Sequence, residues 1–326
     1  LVLTGIHVPE AYGGAGFGFV ELSIALQEMG RSLLCAPYFS SAVLATHAIL
    51  NGASEAAKLA LLPTIASGEL IATLAMTEAN GRWDAHGIEL RATEHDHGYL
   101  LNGSKKFVID GHTAKLIIVA ARSPGSDGAA GITLFSVDGN TPGLQRRLLE
   151  TIDATRKQAE LIFDNVAAEP IGEIGSGAAA LVTTLDQAAV ALASEMVGGA
   201  QALLDAALEY CQLRMQFGRT IGSFQAIKHK CADLLLQVEL AKSATFYAAA
   251  AIAENDPEVP ALASLAKATA ADTYMHTAQE CIQIHGGIGF TWDHDAHLWF
   301  RRAKSSEVLL GDPDYHRERY MQWLAA

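Results

Sequence analysis

The residues best suited to chemistry sit in two short stretches in the second half of this chain. In Gln283-Ile284-His285-Gly286-Gly287 an amide stands beside two glycines. With no Cβ in the way, a flat polar ligand can approach such backbone closely. Upstream, Arg214-Met215-Gln216-Phe217-Gly218-Arg219 sets a guanidinium, an amide and an aromatic ring close together, and Gln225 follows. Arginine offers a planar donor fork that suits phosphate or carboxylate. Taken singly, each stretch has an ordinary reading: a Gly-Gly helix cap and turn, and an arginine in a surface salt bridge.

Other site chemistries find little support. Cys35, Cys211, Cys231 and Cys281 are scattered without CxxC spacing, and three of them fall in helical patterns. Buried thiols in a reducing cytoplasm are expected, rather than disulfides or a metal centre. A formal net charge of −13 argues against nucleic acid, whose phosphates need clustered Lys and Arg. It leaves room for an anionic cofactor held by a few local arginines. Half of the 326 residues are hydrophobic and 18% are charged, so the chain is globular and long enough for two or three packed domains. No uninterrupted apolar run reaches the length of a bilayer span, and no charged-then-apolar signal segment opens the chain.

The elements that must position these groups follow from the hydrophobic period. Residues 1–69 open with the loop VPEAYGGAGFG and then turn helical. Val20, Leu22, Ile24, Ala25 and Met29 are expected to form one apolar face closed by Gly30, with shorter helices at 42–50 and 54–65. Strand-like runs follow at 70–77, 88–93, 99–109, 116–121, 131–137, 145–149 and 159–163, with Asn102-Gly103, Pro124-Gly125 and Asp138-Gly139 as turns. That spacing predicts a small barrel or sandwich over 70–175. From Ser176 the helical period returns. A long alanine-rich helix is expected at 178–214, with Gly198-Gly199 letting a neighbour close in. A second at 224–255 puts Ile227, Cys231, Leu234 or Leu235, Val238 and Ala241 on one face. A third at 260–285 turns Tyr274, Ala278, Cys281 and Ile284 inward and ends in a left-handed cap at Gly286. A shorter helix at 296–309 leads to the tail. Residues 176–326 are thus predicted as an up-and-down four-helix bundle, and the fold class is α+β.

With these elements in place, RxQFGxxIGxFQ (214–225) and QIHGGxGFT (283–291) resemble, in order and separation, the C-terminal helical domain of the acyl-CoA dehydrogenases. VPExYGG near the start and the middle-chain strings Thr77-Glu78-Ala79-Asn80-Gly81-Arg82-Trp83-Asp84 and Phe107-Val108-Ile109 extend the resemblance over nearly the whole chain. It implies an N-terminal helical domain (1–69), here lacking several leading turns, a middle β domain (70–175) and a C-terminal bundle (176–326). It also implies FAD as cofactor and an acyl-CoA substrate. A carboxylate takes the α-proton while the β-hydrogen leaves as hydride, so the base must stand in a desolvated pocket.

The resemblance also shows where this chain departs. The base is commonly a glutamate in a YEGT-like segment after RDAK; here Arg301-Arg302-Ala303-Lys304 leads to Leu309-Leu310-Gly311-Asp312, and Leu310 stands at the base position. The alternative base position, on the long helix, falls on Ala188. Neither side chain accepts a proton. Asp312, Glu195 and Asp186 are substitute candidates, each read as an exposed structural carboxylate. The FDxxR string that serves coenzyme A becomes Leu185-Asp186-Gln187-Ala188-Ala189, keeping the aspartate and losing the arginine. In the chain's own flavin cradle, Thr77 and Phe107 remain, whereas Trp83 replaces a serine and Ile109 a threonine. Intact are the groups that, in the family, grip a neighbouring subunit's FAD: Arg214, Gln216, Phe217, Gln225, Gln283, Gly286 and Gly287.

The implied function is a subunit without its own base that completes the FAD site of a base-bearing partner. Such pairs occur in actinobacterial heterotetramers (α2β2) that shorten sterol side chains, with electron-transfer flavoprotein or a similar acceptor, and the expected location is the cytoplasm. The alternative is a self-sufficient homotetramer whose base has moved to Asp312 or Glu195. Further readings are a flavin-free scaffold or CoA-ester binder, and an oxygen-using oxidase or monooxygenase on the same fold.

Overall fold

A computed structural model describes residues 3–96 and 98–325 of the chain. Within it the chain forms two compact units. One comprises the N-terminal residues up to Gly18 together with Ala36–Ala188; the other comprises Phe19–Cys35 and everything from Ala189 onward.

The first unit is built on a β-sheet. Its strands are β1 (Ala72–Ala75), β2 (Arg91–His95), β3 (Gly98–Ile109), β4 (Leu116–Arg122), β5 (Ile132–Asp138), β6 (Leu144–Leu148) and β7 (Gln158–Pro170). These fall close to the β-rich runs, but Asn102-Gly103, expected as a turn, lies inside β3, where it forms a bulge against β7 instead of reversing the chain. The pairings β4–β2, β2–β3, β3–β7, β7–β5 and β5–β4 run full circle, so the sheet closes on itself as a barrel. Closure removes the unpaired edges that an open sheet would expose. The short β1 joins β4 in parallel and β6 adds to β7. Leu101, Ile117, Val119, Phe135, Val137, Leu161 and Phe163 fill the interior. Short helical segments accompany the barrel: a π-helical run Phe39–Ala45, α2 (Thr46–Gly52) and α3 (Glu55–Ala66), whose Ser54 caps the N-terminus by accepting from Ala57 N.

The second unit is helical. It contains α1 (Phe19–Arg31), most of α4 (Gly177–Leu213), α5 (Gln225–Glu254), α6 (Val259–His285), α7 (Ala296–Val308) and α8 (Pro313–Ala325). Gly198 and Gly199 do what their type suggests. A Cβ at Gly198 would lie 1.9 Å from the Gln27 carbonyl of α1, and one at Gly199 would strike the Tyr274 ring of α6. By length and hydropathy alone α4 could cross a membrane, which the search for uninterrupted apolar runs does not reveal. Its most apolar window is 61% buried inside the protein, and residues 188–200 are buried all round, as in a core helix.

Several expectations are corrected. The inward face of α1 is Phe19, Leu22, Ser23, Leu26 and Gly30, while Ile24 is 48% exposed. Ser23 is admitted because its hydroxyl pairs with that of Ser194 at 2.8 Å, which satisfies both groups. On α5 the buried partner is Leu234, and Leu235 faces out. The four expected helices are present as α4 to α7; what the sequence pattern does not announce is that α1 belongs to the same unit and that the tail is itself helical. Its sequence, with only Pro313 and His316 buried, lacks the apolar stripe that would announce a helix.

Candidate active site

At its C-terminal end α4 gives way to a two-residue hairpin. Strands β8 (Met215–Gln216) and β9 (Arg219–Thr220) flank the turn Phe217-Gly218, and Ile221 N donates to Arg214 O at 2.8 Å. Both turn residues have positive φ, 53° and 76°, the signature of a type I′ hairpin. For phenylalanine this left-handed conformation costs about 1–2 kcal/mol. The ring is nonetheless 91% exposed, so its own chain gains almost no burial from it. Phe224 meets it edge-on at 6.2 Å. Arg214 is exposed and has no carboxylate partner among the described residues, so the surface salt bridge is not made. Gln216, Gln225 and Gln283 are likewise exposed, with uncommitted amides.

The second stretch reaches the same end of the helical unit. Tyr210 near the end of α4 stacks on His285 at the end of α6, with ring centroids 4.3 Å apart, and His294 packs on His285 at a similar distance. The His285 Nδ1–H donates to Cys281 O at 2.7 Å, and burial lowers the His285 pKa. Gly286 ends α6 with φ 63° and ψ −139°. This is a region essentially reserved for glycine, not the left-handed cap expected from the sequence. Gly287 differs: its φ is not positive, and a Cβ there would meet nothing within 4 Å. Neither strain nor internal packing requires glycine at 287. The bare backbone of Gly286 and Gly287 and the unpaired guanidinium of Arg214 thus fit the adenosine and diphosphate end of a dinucleotide.

Beneath this end lie Cys211, Cys231 and Cys281, all buried and free. Burial, with the neighbouring thiol second, pushes Cys281 up to about 12 and Cys211 up to about 11. Such thiols stay protonated and unreactive, as buried structural cysteines should.

The positions where a base is expected are apolar and enclosed. Ala188 is fully buried, and Leu310 is 5% exposed with φ 62°. Lys267 Nζ donates to Glu307 O (3.2 Å) and Gly311 O (3.0 Å), holding the turn. His316 Nε2 donates to Leu310 O at 2.9 Å. Burial drives the His316 pKa down to about 3, so the ring is neutral and its single proton faces that carbonyl.

The substitute carboxylates fare differently from their reading as exposed groups. Glu195 is buried, and its Oε1 accepts from Arg302 Nη1 at 2.7 Å. Asp186 is buried too, on the first-unit portion of α4. A charged residue on an alanine-rich helix looks solvated in sequence, but α4 is a core helix and encloses both. Asp312 is exposed as expected, and its Oδ1 caps α8 by accepting from Tyr315 N at 2.8 Å. Leu310→Glu is therefore expected to leave turnover unchanged while lowering the melting temperature, because an unpaired carboxylate would enter an enclosed position. A doubling of turnover per assembly, or an unshifted melt, would contradict this.

In the β unit, Thr77 is buried and its carbonyl accepts from Lys106 N at 2.8 Å. A bulge in β3 between Lys105 and Val108 puts Phe107 at φ 57° with a half-exposed ring. Ile109 points into the core, its carbonyl bonded to Thr73 Oγ1 at 2.6 Å. Trp83 is half-buried beside the Arg82–Asp84 ion pair. Sequence reasoning missed the pair that fixes these segments. Glu78 Oε1 accepts from Glu89 N, Leu90 N (2.9 Å each) and Lys105 Nζ (2.6 Å), and Lys105 also donates to Met76 O. Burial pulls Lys105 down to about 8, against the opposing effect of Glu78. The available signal was a lysine inside a strand-like run and a glutamate just past the end of another.

Known proteins match this chain along nearly its whole length. Models of the acyl-CoA dehydrogenase N-terminal, middle and C-terminal domains match residues 1–69, 73–166 and 175–325. An acyl-CoA dehydrogenase of Bacillus subtilis (strain 168) is 32% identical over 324 residues, covering 97% of this chain and 85% of that protein. The short-chain specific acyl-CoA dehydrogenase of Megasphaera elsdenii is 32% identical, with 95% and 84% covered. Among solved structures, butyryl-CoA dehydrogenase from Megasphaera elsdenii superposes with a TM-score of 0.95 at 30% identity, covering 99% of this chain and 87% of that one. A chain of the Tcur3481-Tcur3483 steroid ACAD gives 0.88 at 30% identity, with 99% and 85% covered.

Proposed function

Since the chain belongs to the acyl-CoA dehydrogenase family, whose members are FAD-binding flavoproteins, we propose that it is the base-lacking subunit of a two-component acyl-CoA dehydrogenase. In this reading it completes the FAD site of a base-bearing partner in an α2β2 assembly. The observation that carries it is the contrast between two sets of positions. Among the described residues Arg214 has no ion-pair partner, Phe217 is almost wholly exposed, and a Cβ at Gly287 would meet nothing within 4 Å. The base positions, Leu310 and Ala188, are buried and apolar.

FAD, when bound, accepts the hydride that leaves the β-carbon of the acyl-CoA. This chain's share is to hold it. Arg214 would hold the diphosphate, Phe217 would cover a flat ring, and Gln216, Gln225 and Gln283 would supply hydrogen bonds to polar edges. Gly286 and Gly287 let the dinucleotide lie against backbone. Proton abstraction from the α-carbon belongs to the partner's carboxylate.

The likeness to the Tcur3481-Tcur3483 steroid ACAD, a name joining two designations, supports a paired assembly and a steroid-type acyl group. Another similar chain comes from a structure titled for the electron transferring flavoprotein of Acidaminococcus fermentans, with a TM-score of 0.94 and 29% identity. It supports an electron-transferring flavoprotein as acceptor. Free thiols suit a reducing cytoplasm. The competing homotetramer with a relocated base is weakened, because Glu195 is committed to Arg302 and Asp312 to capping α8.

The test is flavin absorbance. Purified alone, the chain is expected to be poorly soluble or nearly colourless; co-expressed with a base-bearing partner, it should yield a yellow complex. A stable yellow homotetramer that bleaches with an acyl-CoA would overturn the proposal.

A further inference from the structure

Resting on the half-site reading above, we infer that Arg219 is a second cation of this site, sharing a dinucleotide's diphosphate with Arg214. The inference starts from register. In the hairpin Gln216 pairs with Arg219 and Met215 with Thr220, while the Ile221 N to Arg214 O bond extends the same ladder. Cross-strand partners share a face, and so do residues two apart on one strand. Arg214, Gln216 and Arg219 therefore project from one face, and Met215 and Thr220 from the other. Two guanidiniums and an amide converge on one side of a ribbon four residues long, in a chain whose net charge is −13.

A second observation fixes how Arg219 is held. Its guanidinium lies over the Phe224 ring, 4.0 Å from the centroid. Stacking engages the flat face of a guanidinium and leaves its N–H edge free. Arg219 is exposed, and no carboxylate partners it among the described residues. Arg31 pairs with Asp205 and Arg317 with Asp272 and Asp314, whereas Arg301, like Arg219, lies over a ring, that of Trp292 at 4.9 Å. What sets Arg219 apart is its place beside Arg214 on the hairpin face. Arg219 is thus kept in one orientation by an aromatic platform and supplied with no internal anion. Phe224 meets Phe217 edge-on, so the same platform links the second cation to the exposed ring at the hairpin tip.

The ligand class follows from the donors. Two planar forks on one face suit a pair of adjacent phosphates, each accepting a charge-assisted hydrogen bond. The exposed Phe217 ring and the bare Gly286-Gly287 backbone suit the flat groups on either side. Arg219 touches no reacting atom; it is a cofactor-holding residue.

The experiment uses the flavin-depleted form of whichever assembly contains this chain, with FAD, ADP and adenosine as calorimetric probes. Arg219→Ala is expected to weaken FAD and ADP binding roughly tenfold and to leave adenosine unchanged, because only the phosphates lose a partner. Phe224→Leu keeps apolar bulk but removes the platform, so it should weaken ADP by less than Arg219→Ala does. Arg219→Lys should rescue in part, since charge returns without the fork. Arg219 is exposed and Phe224 only partly buried, so folding is checked by unchanged melting of the depleted assembly. If Arg219→Ala leaves ADP affinity intact while Arg214→Ala lowers it, the second cation is wrong and the half-site stands. If both variants leave it intact, the half-site reading falls with it. Equal losses for adenosine and ADP would mean that the hairpin has been disturbed as a whole, and would also overturn the assignment.

Discussion

Replacing Arg302 with methionine is expected to destabilise the protein by about 3–5 kcal/mol. Its guanidinium is buried, giving one hydrogen bond to Glu195 Oε1 at 2.7 Å and another to Leu34 O at 3.1 Å. Glu195 sits on α4 where Gly30 of α1 packs so closely that a Cβ there would lie 2.0 Å from the Glu195 carbonyl. Removing the cation leaves a carboxylate largely enclosed by packed helices. A loss of this size is a large share of the roughly 5–15 kcal/mol that holds a typical domain folded. Adding Glu195→Gln to Arg302→Met should recover most of it, since the uncompensated charge is then gone. The readout is the denaturant midpoint of the single and double variants. Coincident curves for wild type and Arg302→Met would show the pair to be solvated. The double variant also speaks to function: turnover retained by the assembly means that Glu195 is not a relocated base.

That ion pair marks the limit of what the sequence reveals. Most strands were legible because Pro124-Gly125 and Asp138-Gly139 end β-rich runs, and local turn chemistry needs no knowledge of the rest of the chain; Asn102-Gly103, read as a turn, is instead a bulge inside β3. The family motifs were legible for the same reason, being short and contiguous. Glu195 was not, because its partner lies 107 residues away and a lone glutamate on a helix reads as solvated. Ser23 was misjudged likewise, with Ser194 as its distant match. The hairpin at Met215–Thr220 was seen as a motif but not as a ribbon, since two-residue strands carry no period. The stacking of Arg219 on Phe224 leaves no trace in the sequence pattern. What failed, in each case, was pairing between elements, which depends on how helices pack and not on local pattern.

The strongest functional effect is expected from Arg214. In the assembled complex, Arg214→Ala should weaken FAD retention and so remove activity whose base lies on the other chain. Arg214 is exposed and unpaired within its own chain, so the substitution breaks no internal bond and the fold should be unaffected. One hydrogen bond between a guanidinium and a diphosphate is worth roughly 1.5–3 kcal/mol, about a ten- to hundredfold change in cofactor affinity. Lysine should restore part of this, because it returns the charge without the planar fork. Excess FAD should restore much of the rate, since the groups that move the proton are untouched. The measurement is flavin content and turnover of the mutant complex, with and without added FAD. Full flavin occupancy at low FAD would mean that Arg214 does not hold the cofactor. Turnover that stays low under saturating FAD would mean that Arg214 acts on the chemistry itself, and that this chain does more than hold its partner's flavin.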